Sequence, residues 1–257
     1  MAKIYLINVG ANRSHGDRVR CPIFPDGTWI FVPFPRDKPS QKGQEFPEVT
    51  FPYRRVRDGI KCHLDPDWDR LTYGDCCDNP RARSLLNVQK GDVLLFWALL
   101  WQTTRDSVVF DSHDRGWYLI GALRADRILK GGERIDTLPP DVRQRVGFNA
   151  HVYEGRTKER DGERVFVGEN DLRHSRRFAA AVDWEVYCDG ALMQRVLRTA
   201  DGKQIRWKES PRWNSVTRSC RAILDLGDKR DRVRASYLAD HIAKKNEGFD
   251  LIGEACP

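Results

Sequence analysis

No apolar run in the 257-residue sequence approaches the roughly 20 residues that a membrane-spanning helix needs; the longest, Val93 to Trp101, has nine. A membrane partner is therefore not expected. The opening stretch MAKIYLINVG alternates like a first strand and lacks the long apolar region and cleavage site of a secretory signal. Seven cysteines, an odd number, are scattered without a C-x-x-C pair, so reduced thiols in a cytoplasmic protein are expected. A Gly-rich phosphate loop of either common kind is missing, which argues against nucleotide hydrolysis and dinucleotide redox chemistry. So are the G-x-S-x-G serine elbow and the H-x-E…P-C-x-x-C pattern of zinc deaminases. Repeats, low-complexity tracts and dividing linkers are absent too, which leaves one elaborated domain over residues 1–257.

What is present is a basic, aromatic-rich chain. Lys and Arg exceed Asp and Glu by a net charge of +7, and eight Trp and eleven Phe accompany them. Arginine clusters at 54–57, 81–83, 173–177, 218–221 and 229–234 favour an anionic partner, since guanidinium suits bidentate phosphate contact. A solvated basic face that binds nothing is the plainer alternative.

The core is expected around two apolar runs, Val93–Trp101 and Trp117–Leu123, launched by Lys90-Gly91-Asp92 and joined by the polar link Gln102–Gly116. Both read as paired central strands, because they are too continuous to have one wet face. Residues 3–9 make another strand, which ends in a polar turn. There Asn12, Arg13, Ser14 and His15 either grip a phosphate or base edge or satisfy their own backbone. Asp26-Gly27, Asp161-Gly162 and Asp201-Gly202 mark hairpin turns, the first within 21–32 and the last between 192–198 and 203–207. Five prolines in 33–53 imply an extended surface loop. Helices are expected from Asn79-Pro80, with Leu85 and Leu86 on one face, from Pro139-Pro140 carrying Val142 and Val146, and over 175–182 with Arg173, Arg176 and Arg177 outward. Residues 164–168 read as a strand. The last helix, 230–246, should bury Val233, Leu238 and Ile242 and stop at Gly248.

The segment CHLDPDWD, Cys62–Asp69, is the most acidic motif of the chain. If extended, it places Asp65, Asp67 and Asp69 on one side, suited to general acid–base work or a divalent ion; an ordinary Asp-Pro turn is the alternative. Cys62, His63, Cys76 and Cys77 match no common zinc spacing, and no metal is assigned. His151 follows a break in a polar stretch and can act near neutral pH, or serve structure alone. Pro211–Arg221 interleaves Arg212, Trp213, Asn214, Arg218 and Arg221, a mixture that stacks on bases, reads their edges and holds phosphates. An amphipathic segment burying Trp213 is the other reading.

In order, VGANRSHGDRVRCPIFPDG, VPFP, CHLDPDWD, NVQKGDVLLFWALLW, GWYLIGALRADRIL and NAHVY resemble the family called nucleotide modification associated domain 3, over nearly the whole chain. Where that family has a more acidic turn, this chain has Gly10-Ala11-Asn12. The resemblance implies a part in DNA base hypermodification and points to Asn12, His15, His63, Asp65, Asp67 and His151. The sheet is also similar, more loosely, to PUA-like domains of the EVE and ASCH kind. Together these readings give an α+β fold on a mixed or barrel-like sheet, with several short helices and a C-terminal one. The protein should bind DNA or RNA and act on a flipped base, alone or beside other base-modification enzymes. Asp65, Asp67, His15 and His151 would be catalytic, with His63, Trp97, Trp101 and Trp117 lining the pocket. A non-catalytic reader of modified bases, or an RNA-binding or RNA-modifying protein, is the alternative. The cofactor is left unassigned.

Overall fold

The computed structural model describes residues 1–10, 18–36, 44–79, 82–185 and 222–253. Among them lie strands β1 (Lys3–Asn8), β2 (Cys21–Ile23), β3 (Phe34–Pro35), β4 (Cys62–His63), β5 (Thr72–Cys76) and β6 (Val93–Gln102). They continue with β7 (Arg115–Lys130), β8 (Val152–Tyr153), β9 (Arg156–Thr157), β10 (Glu163–Gly168), β11 (Arg176–Glu185) and β12 (Ala222–Asp225). The α-helices are α1 (Pro140–Val146) and α2 (Lys229–Ala243). No helix among the described residues is long and apolar enough to cross a membrane.

Eight strands form one sheet in the order β12-β1-β6-β7-β10-β5, with β11 added on β7 and β2 on β6. β1 and β2 run parallel to β6 and the remaining pairs are antiparallel, so the sheet is mixed. It stays open, which corrects the barrel-like form of the expectation. The central position of β6 follows from its composition: each residue from Val93 to Trp101 is buried, as an apolar strand covered on both faces must be. Alternation then sorts the side chains. Val93, Leu95, Trp97, Leu99 and Trp101 pack with Ala235, Leu238 and Ile242 of α2, while Leu94, Phe96, Ala98 and Leu100 pack with Tyr5, Trp29, Phe31, Tyr73 and Phe166. β7 is long enough to serve two neighbourhoods. Its first half pairs with β6 and β11, and its second half, Ala125–Lys130, pairs with β10.

Several sequence expectations change. Residues 176–185 form strand β11 on β7, not a helix, and their arginines bind carbonyls: Arg176 Nη2 donates to Asn246 O (2.9 Å) and Glu247 O (2.7 Å), and Arg177 donates to Trp29 O. Local preference yields here to pairing with a central strand. The helix after Asn79 is a short 3-10 turn, Arg83–Asn87, and β7 extends well past Leu123. In α2 the buried stripe is Ala235, Leu238 and Ile242, whereas Val233 is exposed. Trp97, Trp101 and Trp117 are core residues under α2, with the rings of Trp97 and Trp117 at 5.0 Å, edge to face.

α1 starts at Pro140, as its Pro-Pro opening implies, and sets Val142 and Val146 against Leu129, Val165 and Val167. That face of β10 also carries Glu163, and the chain leaving α1 carries Asn149 and His151. The acidic segment approaches the same edge from another direction, held by the β3–β4 pair.

Candidate functional site

The outermost strand of the path, β5, is set against β10 with Gly74 opposite Val165 and Cys76 opposite Glu163. Asp65 docks on this strand: its Oδ1 accepts from Gly74 N (3.1 Å) and from Asn149 Nδ2 (3.1 Å). Asn149 organises the region. Its Nδ2 also donates to Thr72 Oγ1 (3.2 Å), and its Oδ1 accepts from His151 N (2.9 Å). Gly74 is required for this approach, because a Cβ there would lie 2.3 Å from His151 Cδ2 and 2.7 Å from Asn149 Oδ1.

Three side chains then converge. His63 Nε2 lies 3.2 Å from His151 Nε2 and 3.0 Å from Asp65 Oδ2, and His151 Nε2 lies 3.5 Å from Asp65 Oδ2. Behind them Glu163 Oε1 contacts His151 Nδ1. Asp65, His151 and Glu163 are almost wholly buried, with side chains 5%, 8% and 1% exposed, while His63 is the open member at 33%. Asp65 Oδ2, despite its neighbours, accepts no hydrogen bond, and neither does Glu163 Oε2. Burial pushes the Glu163 carboxyl up, but the hydrogen bond and charge of His151, with Lys158 and Arg160, outweigh it and hold the group below its ordinary range. These residues can relay a proton or, through the three convergent atoms, hold a metal ion.

His63, Asp65 and His151 are thus brought together from the sites expected. Asp67 is not part of the group. The chain folds back at Asp67–Thr72, where the two residues exchange backbone hydrogen bonds of 2.9 and 3.0 Å, so Asp65, Asp67 and Asp69 do not share one side. Asp67 is fully buried and accepts from Arg70 N (3.2 Å) and Arg70 Nη1 (2.9 Å). Arg70 in turn lies over the exposed ring of Phe148, 4.2 Å from its centroid. Asp67 therefore fixes an arginine–aromatic pair at the rim. Asn12, Arg13, Ser14 and His15, and likewise Arg212, Trp213, Asn214, Arg218 and Arg221, lie outside the described residues.

Glu163 and Asn149 were not singled out in the sequence. Glu163 had a signal: in ERVFVG it occupies the same alternate positions as Val165 and Val167, a charge on an apolar face. Asn149 had none beyond its place two residues before His151.

Cys62, beside His63, faces away from the cluster. Burial raises its thiol to about 12, so it stays protonated and is no nucleophile near neutral pH. Cys62 and Leu64 line a cavity of about 240 Å³ with Arg36, Gln44, Phe148 and Asn149, and Asn149 is its link to the cluster. A larger cavity, about 700 Å³, lies between Phe24, Gln102, Tyr118 and Asp183 and has no imidazole among its described lining residues. Trp97, Trp101 and Trp117 line neither cavity.

No curated protein and no solved structure matches the chain. A family model does, over residues 3–225, a span that takes in the central sheet, the HLDPD segment, His151 and Glu163. With order and extent both matched, the chain belongs to the nucleotide modification associated domain 3 family.

Proposed function

We propose that this protein modifies a base of nucleic acid, DNA in the first instance, at the His63–Asp65–His151 cluster. One observation carries the reading: two imidazoles and a buried carboxylate from two segments, His63 and Asp65 on one and His151 88 positions from His63, meet at one point, in a family described by its association with nucleotide modification. Behind the cluster Glu163 is held below its ordinary range by His151, and a buried ionisable group shifted by a specific partner marks a functional-site candidate.

Each residue has a definable task. His63, the most exposed, meets the substrate. Glu163 holds the His151 proton on Nδ1, and in the neutral ring Nε2 then presents its lone pair toward the reacting group. Asn149 and the Gly74 amide occupy Asp65 Oδ1, which leaves Oδ2 turned to the two histidines. The Arg70–Phe148 pair supplies a cation and an exposed aromatic face of the kind that stacks on an unpaired base. Reaching a base within a duplex requires extruding it, at roughly a few kcal/mol. The adjoining cavity of about 240 Å³ is smaller than the roughly 300–1,000 Å³ of pockets for drug-sized ligands, so it suits a small group.

The test is nucleoside mass spectrometry on DNA and RNA from cells carrying wild-type protein, His63→Ala or neither. A mass-shifted nucleoside that depends on the wild-type protein and disappears with His63→Ala is expected. Identical nucleoside profiles in all three overturn the reading, and a shift confined to RNA transfers it from DNA.

A further inference from the structure

We infer that His63 Nε2, His151 Nε2 and Asp65 Oδ2 are the protein ligands of a mononuclear site for a divalent first-row transition ion, zinc or iron(II). The inference rests on the same cluster as the function proposed above but not on that proposal's substrate.

The spacing comes first. A tetrahedral zinc ion with bonds of about 2.0–2.1 Å holds its ligand atoms about 3.3 Å apart, and octahedral geometry at similar bond lengths brings them to about 3.0 Å. Two of the three separations here, 3.2 and 3.0 Å, fall in that interval, and the third, 3.5 Å between His151 Nε2 and Asp65 Oδ2, lies just above it. All three atoms belong to one group, within 4.8 Å of one another.

Proton placement points the same way. With its Nδ1 proton held by Glu163, a neutral His151 carries a lone pair on Nε2, as a metal ligand must. A proton on His63 Nε2 could then serve His151 or Asp65, but not both. Asp65 Oδ2 is the buried atom left without a hydrogen bond, and it is turned into the space between the imidazoles. A cation at that point accepts all three electron pairs at once, whereas a single proton on His63 Nε2 leaves either the carboxylate oxygen or a neutral His151 Nε2 unmatched. Charge agrees as well. Glu163 has Lys158 Nζ at 3.9 Å besides His151, whereas the buried Asp65 carboxylate has two imidazoles beside it, and a cation between them supplies the opposite charge.

The outer contacts are those that metal-bound histidine normally has. His151 carries a carboxylate on its second nitrogen, and Asp65 is fixed through its other oxygen by Asn149 and Gly74. Two imidazoles with one carboxylate suit zinc or iron rather than magnesium or calcium, which take oxygen ligands. Three protein ligands leave positions for water or substrate.

The full chain, purified without chelators from cells supplied with zinc and iron and handled without oxygen, is submitted to elemental analysis and to cobalt(II) titration followed by visible absorption. About one ion per chain is expected, with ligand-field bands on cobalt binding. His63→Ala, which alters the most exposed ligand, should lower metal content at least tenfold while its far-UV circular dichroism stays that of the wild type. Glu163→Gln, which spares all three ligands, should weaken zinc affinity about 10- to 100-fold in competition with a chromophoric chelator. Wild-type protein that takes up neither zinc, iron nor cobalt overturns the inference, as does His63→Ala retaining wild-type metal content. If metal binds and the nucleoside profile never changes, the base-modification reading fails and the metal site stands; modification lost in His63→Ala with no metal bound in the wild type gives the reverse.

Discussion

Asn149 does more for the cluster than its neutral side chain suggests. One amide joins Asp65, Thr72 and the His151 backbone, so its removal leaves a buried hydroxyl, a buried N–H and part of a carboxylate shell unpaired at once. Leaving a buried polar group unsatisfied costs about 1–3 kcal/mol. Asn149→Ala should therefore lower unfolding free energy by about that amount in urea titration. Asn149→Asp should not rescue it, because a second acceptor would face Asp65. At this scale sequence reading reached only part of the site. His63, Asp65 and His151 stand out as residue types, and their meeting depends on contacts 84 and 88 positions apart. Asp67 and Asp65 look alike as a pair in HLDPD, yet a reversal of the chain directly after Asp67 gives one an arginine and the other two histidines.

At the scale of elements, long apolar runs were legible and mixed ones were not. β6 and α1 fall where composition and Pro-Pro capping put them, since no competing contact alters an element buried on all sides or begun by proline. β11 was misread because RRFAAAVDWE has the alanines of a helix, while its place beside β7 is a property of the sheet. In α2 the helix was recognised and its face was rotated: Ala235, too small to attract notice, is buried where Val233 is not. This difference has a direct measure. Leu238→Ala, in the fully buried stripe, should cost about 2–5 kcal/mol. Val233→Ala should stay within about 0.5 kcal/mol of wild type. Equal losses at the two positions would show the face to be wrongly assigned.

Over the whole molecule, a net charge of +7 overstates the cations available to a phosphate backbone. Arg20 Nη1 donates to three carbonyls, of Val109, Phe110 and Ser112, and Arg145 spans those of Arg70, Leu71 and Gly168. Arg176 and Arg177 are engaged likewise. These guanidiniums join loops to the sheet, a use of arginine that counting clusters along a sequence does not reveal. Nucleic-acid affinity should nevertheless fall with salt, by about 0.7–0.9 log units per log unit of salt for each phosphate contacted, when followed by fluorescence anisotropy. A flat response would remove the anionic partner from the proposal.

The bond from Gly74 N–H to Asp65 has one more effect, on solubility. A terminal strand offers its unpaired amides to any passing chain, and proteins commonly blunt such borders with inward-turned charge. Here the carboxylate of the His63–Asp65–His151 cluster also serves as that guard. On the proposed function, chemistry and part of the protection against intermolecular sheet growth thus share a single side chain, beside the Asp67–Thr72 backbone pair that covers the same edge.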